Sequence, residues 1–506
     1  MEAINSPDSA RPARLLDYFR ATRQRPKLHP REVQLLWIIS LHLCFLPWAL
    51  GGMRPWSCWF SLGFALVGFI FALVPRTYPS GHRDESIITL TAWPRLRQFP
   101  LFWIGLLVLS YIVLQGCNPS WHYAQNDTRW WLVRSPEVAW LPTSTATPFE
   151  RFNLWRQFII YTSAWLTLCT IWTGLVRRYS LKILLTVLVL NGLVLMVAGG
   201  IQRLFFNYAI LGFIPRPAGT DGFATLIYHN HAGAYFALLA GIAATLAVWT
   251  QDHGERTFRK STPAPIFALL AFCFSLTVLS THSRGASLLL VIAFLLFVLW
   301  LLLRRLAPDA PAGSSPAVTW ALVVVLCLGF IFIASEVNFS RLSVGLDRLF
   351  AEQIEEESVR SRLLAFTSGE HMLSDHWLRG LGAGSFRYHF PTYIKEHPAV
   401  YADGKLFWEH VHRDWLELPI ELGLVGVSLI LSGAAYGLRL MILHRRRWGS
   451  AVLPLFLACS QTLAHAWFDF PYQNPAILIT WLAVVTTGFS WLQLDRKISP
   501  ASKTSL

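Results

Sequence analysis

The stretch of sequence best suited to chemistry runs from Glu409 to Gly426, EHVHRDWLELPIELGLVG. It places His410 and His412 directly before a run of residues apolar enough to form a membrane-spanning helix. Charges at the edge of a bilayer are costly unless they are hydrated or paired, so this density of charged side chains indicates a functional site. A histidine there can act as a general base near neutral pH, because its unperturbed pKa is about 6.5. A purely structural histidine is the alternative.

Two carboxylates continue this stretch inside the apolar run. Glu417 and Glu421 are four residues apart in the sequence. An α-helix would place them on the same face, one turn from each other. Glu421 is therefore a candidate supporting residue for the two histidines.

Two arginines elsewhere in the chain are candidates for binding an anion. Arg284 lies in STHSRGAS, a tight connection between two apolar runs. We expect its guanidinium to be partly desolvated there and able to bind a phosphate through two hydrogen bonds. Arg216 lies between two prolines in FIPRPAG, which stiffen the backbone around it. The alternatives are a boundary arginine that reaches to the membrane surface for Arg284 and a structural turn for Arg216.

Three further polar residues lie in the connections around these candidates. Asn230, in YHNHAGAYFALLAG, is a candidate N-cap of the helix that follows. Arg360 and Arg362 occur in SVRSR, within a long hydrophilic connection. The same connection contains GLGAGSF, which lacks both the lysine and the preceding strand of a phosphate-binding loop. We therefore predict that GLGAGSF is a glycine-rich turn.

The composition is that of a polytopic membrane protein. Of the 506 residues, 54% are hydrophobic, which is more than a soluble domain carries. The net charge of +14 comes from short basic clusters between apolar runs, so membrane topology explains it better than a nucleic-acid-binding surface does. The seven cysteines form no CxxC pair and no metal-ligand spacing, so we expect them to be small packing residues.

Apolar segments of about 20 residues, the length needed to cross a bilayer, predict an all-α fold with about twelve transmembrane helices. Short basic connections alternate with more polar ones, and by the positive-inside rule the basic connections and both termini face the cytoplasm. The two longest connections, at about 116–153 and 335–414, are then extracytoplasmic, the second lying between spans 9 and 10. The predicted spans begin near Val33, Trp56, Pro100, Trp155, Leu181, His231, Ala264, Gly285, Ala317, Trp415, Ala451 and Pro475.

This topology puts every unusual polar cluster on the extracytoplasmic side. Five separate connections that converge at one end of a helical bundle can build a binding site there. The clusters are NPSWHYAQNDTRWW, IPRPAGTDGFATLIYHNHAG, STHSRGAS, the long loop that ends in EHVHRD, and AWFDFPYQN.

The ordered set of motifs resembles the O-antigen ligase and O-antigen polymerase superfamily of bacterial envelope glycosyltransferases. The resemblance covers roughly Gly199 to Leu431, and it depends on the order and placement of motifs that are individually short. The matching pieces are YHNHAGAYFALLAG, then SRGA, then RSR and GLGAGSF in the long loop, and finally HVHRDWLE followed by ELGLVG.

The resemblance implies a glycan transfer on the periplasmic face of the bacterial inner membrane. In that family the donor glycan is carried on undecaprenyl pyrophosphate, and a hydroxyl of an acceptor sugar attacks its anomeric carbon. On this chain, Arg216 and Arg284 would hold the pyrophosphate leaving group, and His412 would accept the proton of the hydroxyl. The family commonly has asparagine after that histidine, where this chain has Arg413, and His410 remains an alternative base.

The chain is accordingly divided into five regions. The regions are a cytosolic tail at 1–32, N-terminal transmembrane helices at 33–198, an O-antigen ligase-like region at 199–431, C-terminal transmembrane helices at 432–493, and a cytosolic tail at 494–506.

The sequence also allows a prediction about metals, cofactors and binding partners. No DxD, ExD or DxE sequence occurs, which argues against the carboxylate-held divalent metal that other lipid-linked glycosyltransferases use. We therefore predict no metal and no cofactor, with arginines in place of the metal. The predicted partners are a polyprenyl-pyrophosphate-linked glycan, a lipid- or glycan-linked acceptor and membrane lipids, and no nucleic acid.

The main alternative function is a multi-span secondary transporter or glycan exporter without transferase activity. Transporters usually carry polar sites near the bilayer midplane and show two similar halves, whereas here the polar residues gather at one face. Within the enzyme class, ligases, polymerases and protein O-oligosaccharyltransferases share these motifs, so all three remain open.

Overall fold

The computed structural model describes residues 28–79, 87–206, 209–212, 214–215, 222–257, 261–306, 357–395, 397, 400, 408–445 and 449–494. Some predicted features lie outside these residues. They are residues 1–27 of the N-terminal tail, Arg216, the span near Ala317, the parts of the long loop at 335–356 and 401–407, and residues 495–506.

The described part of the chain is mostly helical. Proline takes the first position of several helices, where its missing N–H is not needed for the helical hydrogen bonds. The helices are α1 (Pro30–Trp48), α2 (Pro55–Leu73), α3 (Ala92–Arg97), α4 (Pro100–Cys117), α5 (Leu154–Gly174), α6 (Arg178–Phe205), α7 (His229–Arg256), α8 (Ala264–Ser280), α9 (Arg284–Leu306), α10 (Glu357–His376), α11 (Phe386–Tyr393), α12 (Asp414–Leu443), α13 (Gly449–His465) and α14 (Pro475–Leu494).

Seven helices of the described residues are long and apolar enough to cross a membrane, namely α2, α4, α6, α7, α9, α12 and α14. Shorter apolar segments occupy Ala264–Ser280 and Val452–His465. Helices α1 and α5 coincide with the predicted spans near Val33 and Trp155. The multi-span helical architecture is therefore confirmed, and the number of about twelve spans stays a prediction from segment length.

The prediction of an all-α chain is wrong in two connections, which form small sheets. Strands β1 (Arg76–Pro79) and β2 (Ile87–Leu90) pair antiparallel. The predicted loop at 116–153 contains β3 (Pro119–Gln125), β4 (Trp130–Arg134) and β5 (Ser144–Ala146), with β3 in the centre. Their tryptophan, tyrosine and valine residues favour strands, and Asn126 closes the β3–β4 turn by accepting the backbone N–H groups of Thr128 and Arg129.

Helix α7 is the centre of the helical core. It packs mainly against α8 and α13, and it is buried along most of its apolar length. At Gly233 the neighbouring helix α9 approaches so closely that an added Cβ would lie 2.8 Å from the Cβ atoms of Ser283 and Ala286. Small residues permit this close approach between membrane helices. As a result, the first turn of α7 and the first turn of α9 are held side by side.

The described part of the long loop packs as a unit on the start of α12. Ala365, Met372, Phe386, Phe390 and Val411 form part of its own buried cluster. Helix α12 is interrupted at Gly423, where the backbone φ of 62° is accessible to glycine.

The interruption of α12 leaves backbone carbonyls for the loop to bind. The carbonyls of Ile420 and Glu421 accept the N–H groups of Leu381 and Gly382, each at 2.9 Å. GLGAGSF is thus a glycine-rich turn, as predicted, with positive φ at its three glycines, and it fixes the loop to α12.

Candidate functional site

A cavity of about 380 Å³ opens where several connections meet, which is within the size range of small-ligand sites. The connections come from distant parts of the sequence and include the α1–α2 turn, the segment before α5, the start of α7, the end of the long loop and the α13–α14 connection. The lining residues are Leu50, Met53, Arg151, Ile227, Tyr228, His231, Trp408, Glu409, His410, His412, Phe470 and Asn474.

His412 lines the cavity with its imidazole surrounded by aromatic rings. Its ring centroid lies 5.0 Å from that of Trp408 and 4.7 Å from that of Phe470, both edge-on. Its backbone φ of 61° is a left-handed conformation that costs a histidine about 1–2 kcal/mol. Such local strain is found most often at functional sites.

The environment of His412 favours a neutral imidazole. Burial lowers the pKa of His412 well below 6.5, and the positive charge of Arg362 lowers it further. The Nδ1 atom of His412 has no hydrogen-bond partner among the residues that the structure describes. A neutral imidazole that lines a cavity can accept a proton from a bound hydroxyl.

His410 also lines the cavity, but a carboxylate fixes its ring. Its Nδ1 shares a hydrogen bond of 2.6 Å with Oε1 of Glu417, and Oε2 of Glu417 accepts the backbone N–H of Val411 at 2.9 Å. Burial lowers the pKa of His410 to about 4, although the charge of Glu409 opposes the shift. A histidine oriented by a carboxylate is a recurring form of general base, so His410 remains the alternative to His412.

Asn230 is not the N-cap that its position predicted. Helix α7 begins at His229, so Asn230 lies within the first turn. Its side-chain amide donates to Oδ2 of Asp469, and to the phenol oxygen of Tyr228 at 2.7 Å. The side chain therefore connects the start of α7 to the α13–α14 connection.

Asp469 is a central residue that the sequence reasoning did not select. It is buried, and its Oδ1 accepts the backbone N–H of Phe470 at 2.8 Å. Burial raises the pKa of Asp469 to about 6, opposed by the charge of Arg362 and by hydrogen bonds from its neighbours. Asp469 is the carboxylate of the polar cluster AWFDFPYQN, and its presence there could have identified it as a candidate site residue.

His231, the residue after Asn230 in α7, contacts the same α13–α14 connection. Its Nε2 lies 3.2 Å from the carbonyl oxygen of Phe470, and its Nδ1 lies 3.4 Å from the side-chain nitrogen of Asn474. Asn474 in turn accepts the backbone N–H of Ala476 at 3.0 Å through Oδ1 and so caps α14. The α13–α14 connection is therefore fixed to α7 at two successive positions.

Arg284 is the first residue of α9, and its side chain is exposed. Partial desolvation of its guanidinium at the membrane boundary stays a prediction. The next residue, Gly285, packs against the segment that leads to Asp469, because a Cβ there would lie 2.8 Å from Phe468 and 3.1 Å from His465. Arg284 is thus near the Asp469 connection and is not among the described residues that line the cavity.

The structure separates the two arginines of SVRSR. Arg362 lies 3.5 Å from the phenol oxygen of Tyr228, measured from Nη2, and its charge acts on His412 and Asp469. Arg360 is exposed, because residues two apart on a helix point in different directions. Arg362 therefore belongs to the site by geometry, while Arg360 has no described contact in the site.

Glu421 supports the loop rather than the cavity. Its Oε1 accepts the backbone N–H of Phe386 at 3.2 Å, directly after the glycine-rich turn. Glu417, on the same helix face, orients His410 instead. The spacing of four residues predicted a shared face correctly, and the two carboxylates bind different partners on that face.

Residues 269–431 match the family model described as O-antigen ligase. The resemblance to the O-antigen ligase superfamily is confirmed over these residues, and residues 199–268 of the predicted region lie outside the match. The matched residues make up less than half of the chain and include Arg284, Arg362, His410 and His412. Among curated proteins, no match to the chain is found. The match supports membrane glycan transfer of the O-antigen ligase type.

Proposed function

We propose that this O-antigen ligase-like chain is a metal-independent glycosyltransferase of the bacterial inner membrane. It moves a glycan from an undecaprenyl-pyrophosphate-type donor to a hydroxyl of an acceptor sugar on the periplasmic face. The observation that carries the proposal is His412, which lies in the matched region and lines the cavity with an imidazole that burial keeps neutral by lowering its pKa.

The proposed reaction is a displacement at the anomeric carbon of the donor. His412 accepts the proton of the acceptor hydroxyl, whose oxygen forms a bond to the anomeric carbon. The bond between that carbon and the pyrophosphate oxygen breaks, and its electron pair leaves with the pyrophosphate. Arg284 and Arg216 stabilise the negative charge that develops there, since fixed cations at a leaving group lower the barrier.

The remaining polar residues position these groups. Asp469 and Asn230 join the start of α7 to the α13–α14 connection, which packs beside the first turn of α9. Arg362 keeps a positive charge near His412, so it disfavours protonation of the imidazole before substrate binds. His410 and Glu417 support the backbone on which His412 sits.

The proposed function is tested by reconstituting transfer with purified full-length protein, a lipid-linked glycan and an acceptor glycan in the presence of EDTA. We expect transfer to continue at an unchanged rate, because arginines take the part that a metal takes in other enzymes of this kind. A loss of activity that magnesium or manganese restores would contradict metal independence. A complete lack of transfer under every condition would favour the transporter class.

The proposed topology places the cavity on the periplasmic side. Cysteines introduced at exposed positions beside the site, such as His282, should react with an impermeant maleimide in intact spheroplasts. A cysteine at the exposed Thr257, at the other end of α7, should react only after the membrane is broken. The reverse labelling pattern would show that the topology is inverted.

A further inference from the structure

Three arginines lie around Glu409, a residue that lines the cavity, and none of them belongs to the motifs. Arg151 lines the cavity together with Glu409. Arg387 lies 3.7 Å from the Glu409 carboxylate, and its guanidinium carbon is 3.5 Å from the centroid of the Phe152 ring. Arg156, near the start of α5, is 8% exposed, and its Nη2 donates to the carbonyl oxygen of Met53 at 3.4 Å. The charges of Arg151 and Glu409 also act on its guanidinium. The three side chains thus form one cationic cluster.

The three arginines carry three positive charges, whereas the carboxylate of Glu409 carries one negative charge. Glu409 therefore neutralises at most one of the three arginines. The Nε atoms of Arg151 and Arg156 are buried and have no hydrogen-bond partner among the residues that the structure describes. A buried positive charge without a paired carboxylate is costly, and an anion bound at the guanidinium groups would provide the opposite charge.

We infer that Arg151, Arg156 and Arg387 form a subsite for an anionic group of the acceptor, a carboxylate or a phosphate on or next to the sugar whose hydroxyl reacts. The inference rests on the proposed function, because it assumes that an acceptor sugar occupies the cavity. It adds to that function a substrate class, namely acidic acceptor glycans.

The position of the cluster favours the acceptor over the donor. Arg387 contacts Glu409, which precedes His410, whereas Arg362 lies 3.5 Å from the phenol oxygen of Tyr228, whose ring is 6.3 Å from that of His412. Arg284 begins α9 beside Phe468, on the side of the Asp469 connection. In a displacement reaction the attacking hydroxyl and the leaving group occupy opposite sides of the reacting carbon. Two cationic regions that contact different connections fit two different substrates.

The test measures binding to purified full-length protein in lipid nanodiscs, without any transfer reaction. The probes are methyl glucuronide, glucose 6-phosphate, the neutral methyl glucoside and inorganic pyrophosphate. We expect at least one acidic sugar to bind about tenfold or more tightly than the neutral glucoside, because hydrogen bonds between charged groups contribute roughly that factor or more. Equal binding of acidic and neutral sugars overturns the inference.

Substitutions then assign the binding to the cluster. We expect Arg151→Gln and Arg387→Gln each to remove the preference for the acidic sugar while pyrophosphate binds as before. The matched control is Arg134→Gln, which removes an exposed arginine from strand β4 and should change neither affinity. Loss of pyrophosphate binding in the cluster variants would assign these arginines to the donor and overturn the inference.

Two further comparisons keep the result decisive. Thermal unfolding of each variant identifies any that fail to fold. The inference is overturned if a folded Arg151→Gln or Arg387→Gln variant keeps the preference for the acidic sugar. Arg284→Gln should lose pyrophosphate binding and keep the acidic-sugar preference. If no pyrophosphate binds through Arg284 while the acidic sugar still binds through Arg151, the proposed donor site fails and the acidic-sugar subsite stands.

Discussion

Replacement of His412 by alanine is expected to lower the rate of glycan transfer by about 10²–10⁴-fold, the usual contribution of a general base. Donor binding should remain nearly intact, because His412 is proposed to act on the acceptor hydroxyl. The rate should be measured as single-turnover transfer from the lipid-linked donor. Donor affinity should be measured separately by binding to the same purified variant.

The matched variant is His410→Ala, which we expect to cost much less. Its imidazole is held by Glu417 at 2.6 Å, so its removal disturbs a buried hydrogen bond rather than the proposed proton transfer. If His410→Ala has the larger effect and His412→Ala the smaller one, the base is His410, oriented by Glu417. If neither substitution slows transfer, the proposed proton acceptor is wrong.

The long apolar helices of the described residues could be predicted from the sequence, because segment length and hydropathy decide them locally. The three-stranded sheet could not, because the connection at 116–153, which contains SWHYAQ and RWWLVR, is assigned as an extracytoplasmic loop from the positive-inside rule alone. Their pairing depends on contacts such as Trp121 opposite Arg134, which join residues on either side of a turn. Alternating aromatic and polar residues around Asn126 were the missed signal.

Candidate site residues could be selected from the sequence where they are neighbours in the chain. They could not be selected where tertiary contacts bring distant residues together. His410 and His412 could be selected because they stand together at a predicted membrane boundary. Asp469 could not be linked to Asn230, because 239 positions separate them in the sequence. Arg362 rather than Arg360 reaches Tyr228 because of the way helix α10 is rotated about its axis. The sequence of a long loop does not define that rotation.

Arg284→Lys is expected to impair turnover by about tenfold or more, although it preserves the positive charge. The planar guanidinium can bind two phosphate oxygens at once, whereas an ammonium is a single point charge without that fork. The exposure of Arg284 gives a substrate access to the guanidinium, so the effect should be seen in both pyrophosphate affinity and transfer rate.

The control for Arg284→Lys is Arg134→Lys, an equally conservative change at an exposed arginine over the ring of Trp121, which should leave transfer unchanged. Transfer from the lipid-linked donor and binding of inorganic pyrophosphate are measured for both variants. The proposed role requires Arg284→Lys to lose both together, since the same two hydrogen bonds serve the bound pyrophosphate and the charge that develops on it. A fully active Arg284→Lys variant would reduce Arg284 to a boundary residue that anchors α9 at the membrane surface.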